Sequence, residues 1–255
     1  MNTIIEVSRL TKTYGDIHAV QELDFSVKAG EIVGLVGSNG AGKTTTLRAI
    51  TGILRPTAGR VRVAGHDIEK EPIAAKRQFA YIPDTIQPFE LLTVTEHLHF
   101  VALAYRIPNA DKKYPPLLEE LELTVKKDEP ASNLSRGMLQ KLSLACAFIR
   151  EPKVIILDEP LTGLDPRGIR NIKESIRRRA ALGTAFLLSS HLLMLVEALC
   201  DQVLILHQGK KRAFGSLSEI RKLASLNGGA SLEDAFFAVT ETSTEAAPED
   251  AELVS

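Results

Sequence analysis

The sequence predicts an α/β fold with a mostly parallel sheet, a small antiparallel β subdomain at the N-terminus and an inserted α-helical subdomain. Three observations predict it. Short apolar runs alternate with helical patterns, which is typical of a parallel sheet covered on both faces. Two strand patterns separated by turn residues stand near the N-terminus. Helical patterns alone occupy residues from about 85 to 150.

The individual elements follow from these patterns. Predicted strands share short runs of aliphatic residues and cover 4–7, 24–27, 31–36, 61–63, 154–157, 185–189 and 203–206. A helix is predicted at 43–51. Thr93 and Glu96 have the spacing of a capping box that opens another helix, and Ser135 precedes a third. Gly183 is expected to end a basic amphipathic helix.

Composition excludes several classes of protein. The formal net charge is -1, which gives no reason to expect a nucleic acid partner. Cys146 and Cys200 have no metal-ligand spacing and are expected to be reduced thiols. No apolar run reaches the roughly 20 residues of a membrane span, and the N-terminus lacks the apolar segment of a secretory signal. We therefore expect a soluble chain that reaches any membrane through a partner.

One domain is expected over residues 1–240. Residues 241–255 contain five acidic residues and no basic ones, so this tail is predicted to be disordered. His97 and His99 have no metal-ligand companions and are expected on the surface of a helix.

A glycine-rich loop joins the strand at 31–36 to the helix after it. The loop fits the phosphate-loop pattern at every required position; its residues, with the threonine that follows, are Gly37, Ser38, Asn39, Gly40, Ala41, Gly42, Lys43, Thr44 and Thr45. Glycines let successive backbone N–H groups turn toward one anion, and the helix N-terminus adds positive potential. Lys43 reaches the β- and γ-phosphates, and the Thr44 hydroxyl offers a ligand to Mg²⁺. The loop predicts a P-loop NTPase core.

Two carboxylates follow the apolar strand at 154–157. The strand delivers Asp158 to the Mg²⁺ ion, and Glu159 beside it polarises the attacking water. Many strands end in an acidic turn, so this run alone is a weak signal. Coupled to a phosphate loop about 115 residues upstream, it predicts a metal ligand and a general base.

Further motifs surround these carboxylates. The segment 134–140 reads Leu-Ser-Arg-Gly-Met-Leu-Gln, the segment 163–165 reads Gly-Leu-Asp, and His191 follows Leu-Ser-Ser. Tyr14 stands near the N-terminus. In order and spacing, over about residues 4–215, the set resembles the ATP-binding subunits of ABC transporters, whose signature motif is commonly Leu-Ser-Gly-Gly-Gln.

The resemblance implies two cassettes arranged head to tail, as a homodimer or a heterodimer. Each ATP then lies between the phosphate loop of one cassette and Ser135 and Gly137 of the other, at a helix N-terminus that suits an anion. It also implies that His191 holds the γ-phosphate, that Asp165 communicates across the interface, and that Tyr14 stacks on adenine.

Three positions depart from the usual pattern. Asp84 stands where the family carries a Gln in the loop that leads into the helical subdomain, and it could ligate Mg²⁺, orient water or couple ATP chemistry to movement. Arg136 replaces a signature glycine and either adds positive charge near a phosphate or points into solvent. Met138 replaces the signature Gln. These departures resemble bacterial type-2, exporter-class ABC systems.

The sequence therefore predicts an ATP-hydrolysing subunit that powers a separate integral-membrane permease, with a lean toward export. The expected location is cytoplasmic, on the inner face of the cell membrane through the permease. Lys43, Mg²⁺ and His191 would neutralise charge in the transition state while Glu159 activates water. Two alternatives stay open: a soluble ABC-type ATPase acting on DNA or ribosomes, and a nucleotide switch that does not hydrolyse ATP.

Overall fold

A six-stranded and a four-stranded sheet organise the chain in a computed structural model that describes residues 2–226 and 229–241. The strands are β1 (Thr3–Tyr14), β2 (Ile17–Lys28), β3 (Ile32–Val36), β4 (Ala58–Val63), β5 (His66–Asp67), β6 (Phe79–Ile82), β7 (Val154–Asp158), β8 (Ala185–Ser189), β9 (Gln202–His207) and β10 (Lys210–Gly215). The larger sheet has the order β10-β9-β3-β8-β7-β6, and its strands run parallel except at the β9–β10 edge. The smaller sheet, β2-β1-β4-β5, is antiparallel. The predicted fold class is confirmed.

Nine α-helices are present in the described ranges. They are α1 (Lys43–Ile50), α2 (Pro72–Gln78), α3 (Val94–Tyr105), α4 (Tyr114–Glu120), α5 (Arg136–Phe148), α6 (Pro166–Ala181), α7 (Leu193–Leu199), α8 (Leu217–Leu223) and α9 (Leu232–Glu241). Short 3₁₀ turns cover Ala110–Lys112, Thr124–Lys126 and Ala131–Asn133. Helices α3 to α5 follow one another between β6 and β7. In the described part of the chain, no helix is both long enough and apolar enough to cross a membrane.

The parallel sheet separates two apolar layers. Val33 and Leu35 of β3 pack with Leu47 of α1 and with the antiparallel sheet. Ile32 and Val36, which point to the opposite face, pack with the helices that include α5, α6 and α7. Successive side chains of a strand point to opposite faces, so a strand buried on both faces is apolar throughout. This explains why all five residues of β3 are buried.

The sheet order fixes where the polar residues meet. Strand β8 lies between β3 and β7 and runs parallel to both. Asp158 of β7 is the register partner of Ser189 of β8. The carboxyl ends of these strands therefore lie at one edge, where open α/β sheets bind ligands. The phosphate loop leaves β3 at the same edge.

Local signals at helix starts agree with the structure. Thr93 Oγ1 accepts a hydrogen bond from the Glu96 backbone N–H (3.2 Å), and the Glu96 carboxylate accepts one from the Thr93 N–H (2.7 Å). This confirms the predicted capping box. Ser135 caps α5 by accepting from the Met138 N–H, at 3.4 Å.

An ion-pair cluster joins the helical subdomain to α6. Glu120, at the end of α4, accepts from both Arg178 and Arg179 at 2.5 Å. The guanidinium of Arg179 also stacks on Phe148 of α5, 3.6 Å from the ring centroid. These side chains connect three helices that the sequence places far apart.

Several elements differ from the sequence-based prediction. Strands β1 and β2 are much longer than 4–7 and 24–27, because bulges interrupt the alternation that marks a strand. The prediction for His97 is wrong: its side chain is buried. Its Nδ1 lies 2.8 Å from the Thr93 carbonyl, and its Nε2 accepts from the Phe89 N–H (3.2 Å), so backbone groups satisfy the ring. Of the predicted tail 241–255, Glu241 ends α9 and residues 242–255 lie outside the described residues.

Candidate active site

The phosphate loop encloses a small cavity at the carboxyl edge of the sheet. A cavity of about 290 Å³ is lined by Ala19, Asn39, Gly40, Ala41, Gly42, Lys43, Thr44, Thr45, Asp84, Asp158 and Glu159. A second cavity, of about 370 Å³, shares Asn39 and is lined otherwise by Gly37, Ser38, His191, Leu193 and Phe236. The loop therefore separates two concave surfaces, and the predicted loop residues line one or both of them together with Asp84, Asp158, Glu159 and His191.

Glycine is required at particular points of this loop. Gly40 and Gly42 have φ values of 79° and 103°, in the left-handed region that side chains disfavour. A Cβ at Gly37 would lie 2.5 Å from the Leu206 carbonyl oxygen and 2.8 Å from the Ala41 Cβ. The backbone thus turns tightly against β9 just before the N-terminus of α1, and a helix N-terminus of this kind suits an anion.

Lys43 folds back over the loop. Its ammonium donates hydrogen bonds to the carbonyl oxygens of Gly37 (2.7 Å) and Ser38 (3.1 Å). Burial lowers the pKa of Lys43, while the negative charges of Glu159 and Asp158 act in the opposite direction. The ammonium is thus held at the centre of the loop, beside two carboxylates.

Asp158 is oriented by two hydroxyl groups. The Ser189 hydroxyl donates to Asp158 Oδ1 at 2.5 Å, and the Thr44 hydroxyl lies 3.5 Å from the same oxygen. Ser189 Oγ also accepts from the Glu159 N–H at 3.1 Å. Sequence reasoning did not single out Ser189; its register opposite Asp158 at the end of β8 is the signal that could have identified it.

Glu159 and His191 form a direct pair. His191 Nδ1 lies 2.9 Å from Glu159 Oε2, and the His191 backbone N–H is 3.4 Å from the same oxygen. Glu159 adopts a φ of 50°, an uncommon conformation for a residue with a side chain. Strained backbone of this kind is found at active sites, where the surroundings hold it in place. The turn after β7 places the carboxylate against His191, which follows β8.

Asp84 lines the same cavity from the loop after β6. Its Oδ1 lies 3.5 Å from Arg136 Nη2, in an ion pair that is exposed on both sides. Behind it, burial raises the pKa of Tyr81 to about 12, and the charge of Asp158 adds to that rise. Tyr81 therefore stays protonated beside the carboxylates.

Comparison with known proteins decides the family. The sequence pattern described as ABC transporter matches residues 20–162. The chain belongs to the ABC transporter family. It is 36% identical over 241 residues to the ABC-type transporter ATP-binding protein EcsA of Bacillus subtilis strain 168, covering 94% of this chain and 97% of the relative.

Two further proteins support the assignment. The Nod factor export ATP-binding protein I of Ralstonia nicotianae is 38% identical over 221 residues, covering 85% of this chain and 68% of that protein. A solved structure described as an ATP-binding subunit of an ABC transporter is 39% identical, with a TM-score of 0.88, and covers 92% of this chain and 99% of that one. This ABC chain is thus an ATP-binding subunit, and an ATPase that drives transport.

The signature segment of this ABC chain lies apart from the phosphate cavity. Among the described residues that line that cavity, Ser135 and Gly137 are absent. A Cβ at Gly137 would lie 3.2 Å from the Gly163 carbonyl oxygen, so the segment packs against the Gly-Leu-Asp loop. Asp165 caps α6 in its own chain by accepting from the Gly168 N–H (2.9 Å).

Tyr14 stands at the turn between β1 and β2. Half of its surface is exposed, and the Lys12 ammonium lies 4.9 Å from its ring centroid. Ala19, five residues further along, lines the phosphate cavity. The hairpin thus approaches the cavity from the antiparallel sheet and leaves the Tyr14 ring accessible to a flat ligand.

Proposed function

We propose that two cassettes, at least one of them this chain, clamp two Mg²⁺–ATP and drive a separate permease that exports its substrate. The cassette would lie in the cytoplasm against the inner face of the membrane. The lean toward export is supported by relatives that are named as export proteins.

One observation carries the two-cassette proposal. Two parts of the chain suit an anion: the phosphate loop, and the N-terminus of α5 with Ser135 and Gly137. Among the described residues, Ser135 and Gly137 do not line the cavity of the phosphate loop. No acidic residue occupies the first turn of α5. A helix N-terminus attracts anions, so the phosphate bound at one chain's loop would be completed by Ser135 and Gly137 of a second cassette.

The cavity also suits a magnesium ion. Mg²⁺ binds oxygen ligands and commonly takes one or two from the protein and others from phosphate and water. The Thr44 hydroxyl and the Asp158 carboxylate converge to 3.5 Å, and Asp84 lines the same space. In the described ranges no group of three or more His, Cys, Asp or Glu could hold a metal unaided. We therefore assign Thr44, Asp158 and Asp84 as the residues that would hold this ion.

The pair of Glu159 and His191 suits hydrolysis by in-line attack of water. The Glu159 carboxylate would accept a proton from the attacking water, and the pairing at 2.9 Å keeps it oriented. His191 and Lys43 would stabilise the charge that develops on the γ-phosphate. Bound Mg²⁺ would supply further charge neutralisation.

An apolar groove next to Asp84 suits the permease. A cavity of about 420 Å³ runs between the parallel sheet and the helical subdomain, and Pro83 and Thr85 line it on either side of Asp84. Phe89 and Phe100 are about half exposed beside it and contact each other at 5.2 Å between centroids. Exposed apolar patches of this kind mark protein contacts. Asp84 would thus lie between the ATP cavity and the permease.

Glu159→Gln tests the hydrolytic assignment. The amide keeps the size of the side chain but cannot accept a proton from water. We expect unchanged ATP binding, an ATP-dependent dimer by analytical ultracentrifugation, and turnover reduced by at least about a hundredfold. Glu151→Gln, at an exposed glutamate outside the cavity lining, is the matched control and should hydrolyse ATP at the parent rate. Parental turnover in Glu159→Gln would remove Glu159 from this role.

Association with membranes tests the transport role. The tagged chain should co-sediment with membranes through a polytopic protein and be released by substitution of Phe89 and Phe100 with serine. Ile73→Ser, at a residue that is 72% exposed elsewhere, is the control and should leave the association intact. A chain that remains entirely in the soluble fraction would contradict the assignment of this groove to a permease.

A further inference from the structure

Two residues that depart from the family pattern meet in the structure. Arg136 Nη2 lies 3.5 Å from Asp84 Oδ1, although Asp84 lies in the loop after β6 and Arg136 begins α5. The Arg136 side chain also crosses Gly163, because a Cβ there would lie 3.1 Å from Arg136 Cδ. The glycine thus leaves room for the arginine on its way to Asp84. One side chain therefore links the signature segment, the Gly-Leu-Asp loop and the wall of the ATP cavity.

The position of Arg136 is electrostatically unusual. It is the first residue of α5, where the helix dipole disfavours a positive charge. No acidic residue in the first turn of α5 compensates this charge. The Asp84 carboxylate is its ion-pair partner within the described ranges. An arginine at such a place is stabilised by an anion, and Asp84 is the anion that the single chain supplies.

The ion pair of Arg136 and Asp84 is weak enough for the arginine to exchange Asp84 for another anion. The Arg136 and Asp84 side chains are 63% and 50% exposed, and a single 3.5 Å approach joins them. Exposed pairs of this kind contribute little to stability, because water screens them. A phosphate oxygen is a stronger partner for guanidinium than an exposed carboxylate, since it carries more charge and accepts hydrogen bonds in a matching geometry.

We propose that Arg136 exchanges partners during the ATP cycle. In the single chain it pairs with Asp84; when a second cassette closes, it leaves Asp84 and binds a phosphate oxygen of the nucleotide held by that cassette. Release frees Asp84 in the cavity of its own chain, where the carboxylate faces Thr44 and Asp158. Closure of the two cassettes would thus change the charge and the contacts of the residues that line both ATP sites. This inference rests on the proposed two-cassette function.

A double-mutant cycle in the Glu159→Gln chain tests the exchange, with the dimer dissociation constant in ATP and EDTA as the readout, so that the proposed contact of Asp84 with Mg²⁺ does not contribute. Asp84→Asn frees Arg136 in the single chain and should tighten the dimer by about two- to fivefold, the range of an exposed pair. Arg136→Gln should weaken it by at least about tenfold, through loss of a charged hydrogen bond. The double variant should match Arg136→Gln, since without Mg²⁺ the substitution Asp84→Asn acts through the arginine. Arg136→Lys should recover part of the affinity.

Additive effects, or a dimer weakened by Asp84→Asn in the presence of Arg136, would overturn the exchange. Arg55→Gln and Glu69→Gln remove a comparably exposed ion pair and should leave the dimer unchanged. Failure of the Glu159→Gln parent to dimerise with ATP would instead overturn the two-cassette function. In that case the same cycle, read as thermal unfolding midpoints without nucleotide, still decides whether Asp84 and Arg136 are coupled, and additivity there would refute the pairing itself.

Discussion

Replacing Ser189 with alanine removes one hydroxyl that orients both carboxylates of the active site. Ser189 Oγ donates to Asp158 Oδ1 at 2.5 Å and accepts from the Glu159 N–H at 3.1 Å. The Glu159 N–H keeps a second acceptor, the Ser189 carbonyl oxygen at 3.2 Å. The main loss is therefore the charged hydrogen bond to Asp158, a net contribution of about 1.5–3 kcal/mol.

The functional consequence should exceed the loss of stability. A chain of this size shifts its melting temperature by about 2–4 °C per kcal/mol, so Ser189→Ala should melt several degrees lower and remain folded at 25 °C. Residues that orient a metal ligand typically change metal affinity by about 10- to 100-fold. We therefore expect the Mg²⁺ concentration for half-maximal ATPase activity to rise by about that factor.

The neighbouring serine supplies the matched control. Ser190 is also buried, and its hydroxyl accepts from the Leu192 N–H at 3.0 Å; within the described residues it makes no hydrogen bond to either carboxylate. Ser190→Ala should lose about 0.5–1.5 kcal/mol of stability, the range of a neutral hydrogen bond, while its Mg²⁺ requirement stays at the parent value. An unchanged Mg²⁺ requirement in Ser189→Ala, or an equal rise in both variants, would refute the assignment of Ser189 to the orientation of Asp158.

Two further predictions concern packing and charge. Burial raises the pKa of Glu120, but hydrogen bonds from Arg179 and Ser175 and the charges of both arginines outweigh it, so the pKa in the folded state is lowered. A lowered carboxyl pKa stabilises the fold above the unfolded pKa of about 4.3, and this stabilisation is lost as the pH falls through the folded value. Glu120→Gln should therefore reduce the free energy of unfolding by about 1.5–3 kcal/mol at pH 7. In urea titrations, the difference in unfolding free energy between variant and parent should shrink below about pH 4. A difference that does not change with pH would contradict the ion pair. Gly37→Ala places a Cβ 2.5 Å from the Leu206 carbonyl oxygen and should weaken ATP binding by at least about tenfold in calorimetric titrations. The control Gly65→Ala, at a turn with open space, should affect stability alone. Equal ATP affinities of the two variants would show that the phosphate loop tolerates the added Cβ.

Much of this arrangement was predictable because it depends on periodicity and on strand ends. Apolar runs marked β3, β7 and β8, and parallel neighbours bring their carboxyl ends to one edge. Lys43, Asp158 and Glu159 follow or flank such ends, so their convergence on one cavity was expected from spacing alone. The capping box at Thr93 was equally local, since it needs only two residues three positions apart.

The remaining features depend on side chains that meet across loops. The pair of Asp84 and Arg136 joins residues 52 positions apart, and no pattern in either segment specifies which way the arginine turns. His97 illustrates the same limit at shorter range. Its spacing suits an exposed helical residue, yet a bent segment before α3 brings the Phe89 N–H onto its ring. Such contacts follow from the path of the loops, which hydrophobic periodicity does not encode.

The conformation of Glu159 depends both on where two strands end and on a contact between residues far apart in the sequence. β7 ends at Asp158 and β8 ends at Ser189. Glu159, the residue after β7, must therefore turn sharply to direct its carboxylate toward His191, two residues after β8. A φ of 50° achieves this turn, and an N–H bonded to both the hydroxyl and the carbonyl of Ser189 holds it. The unfavourable backbone of Glu159 is thus offset by the serine that also orients Asp158. The proposed metal ligand Asp158 and the proposed general base Glu159 therefore share one support, and a change at Ser189 should affect both.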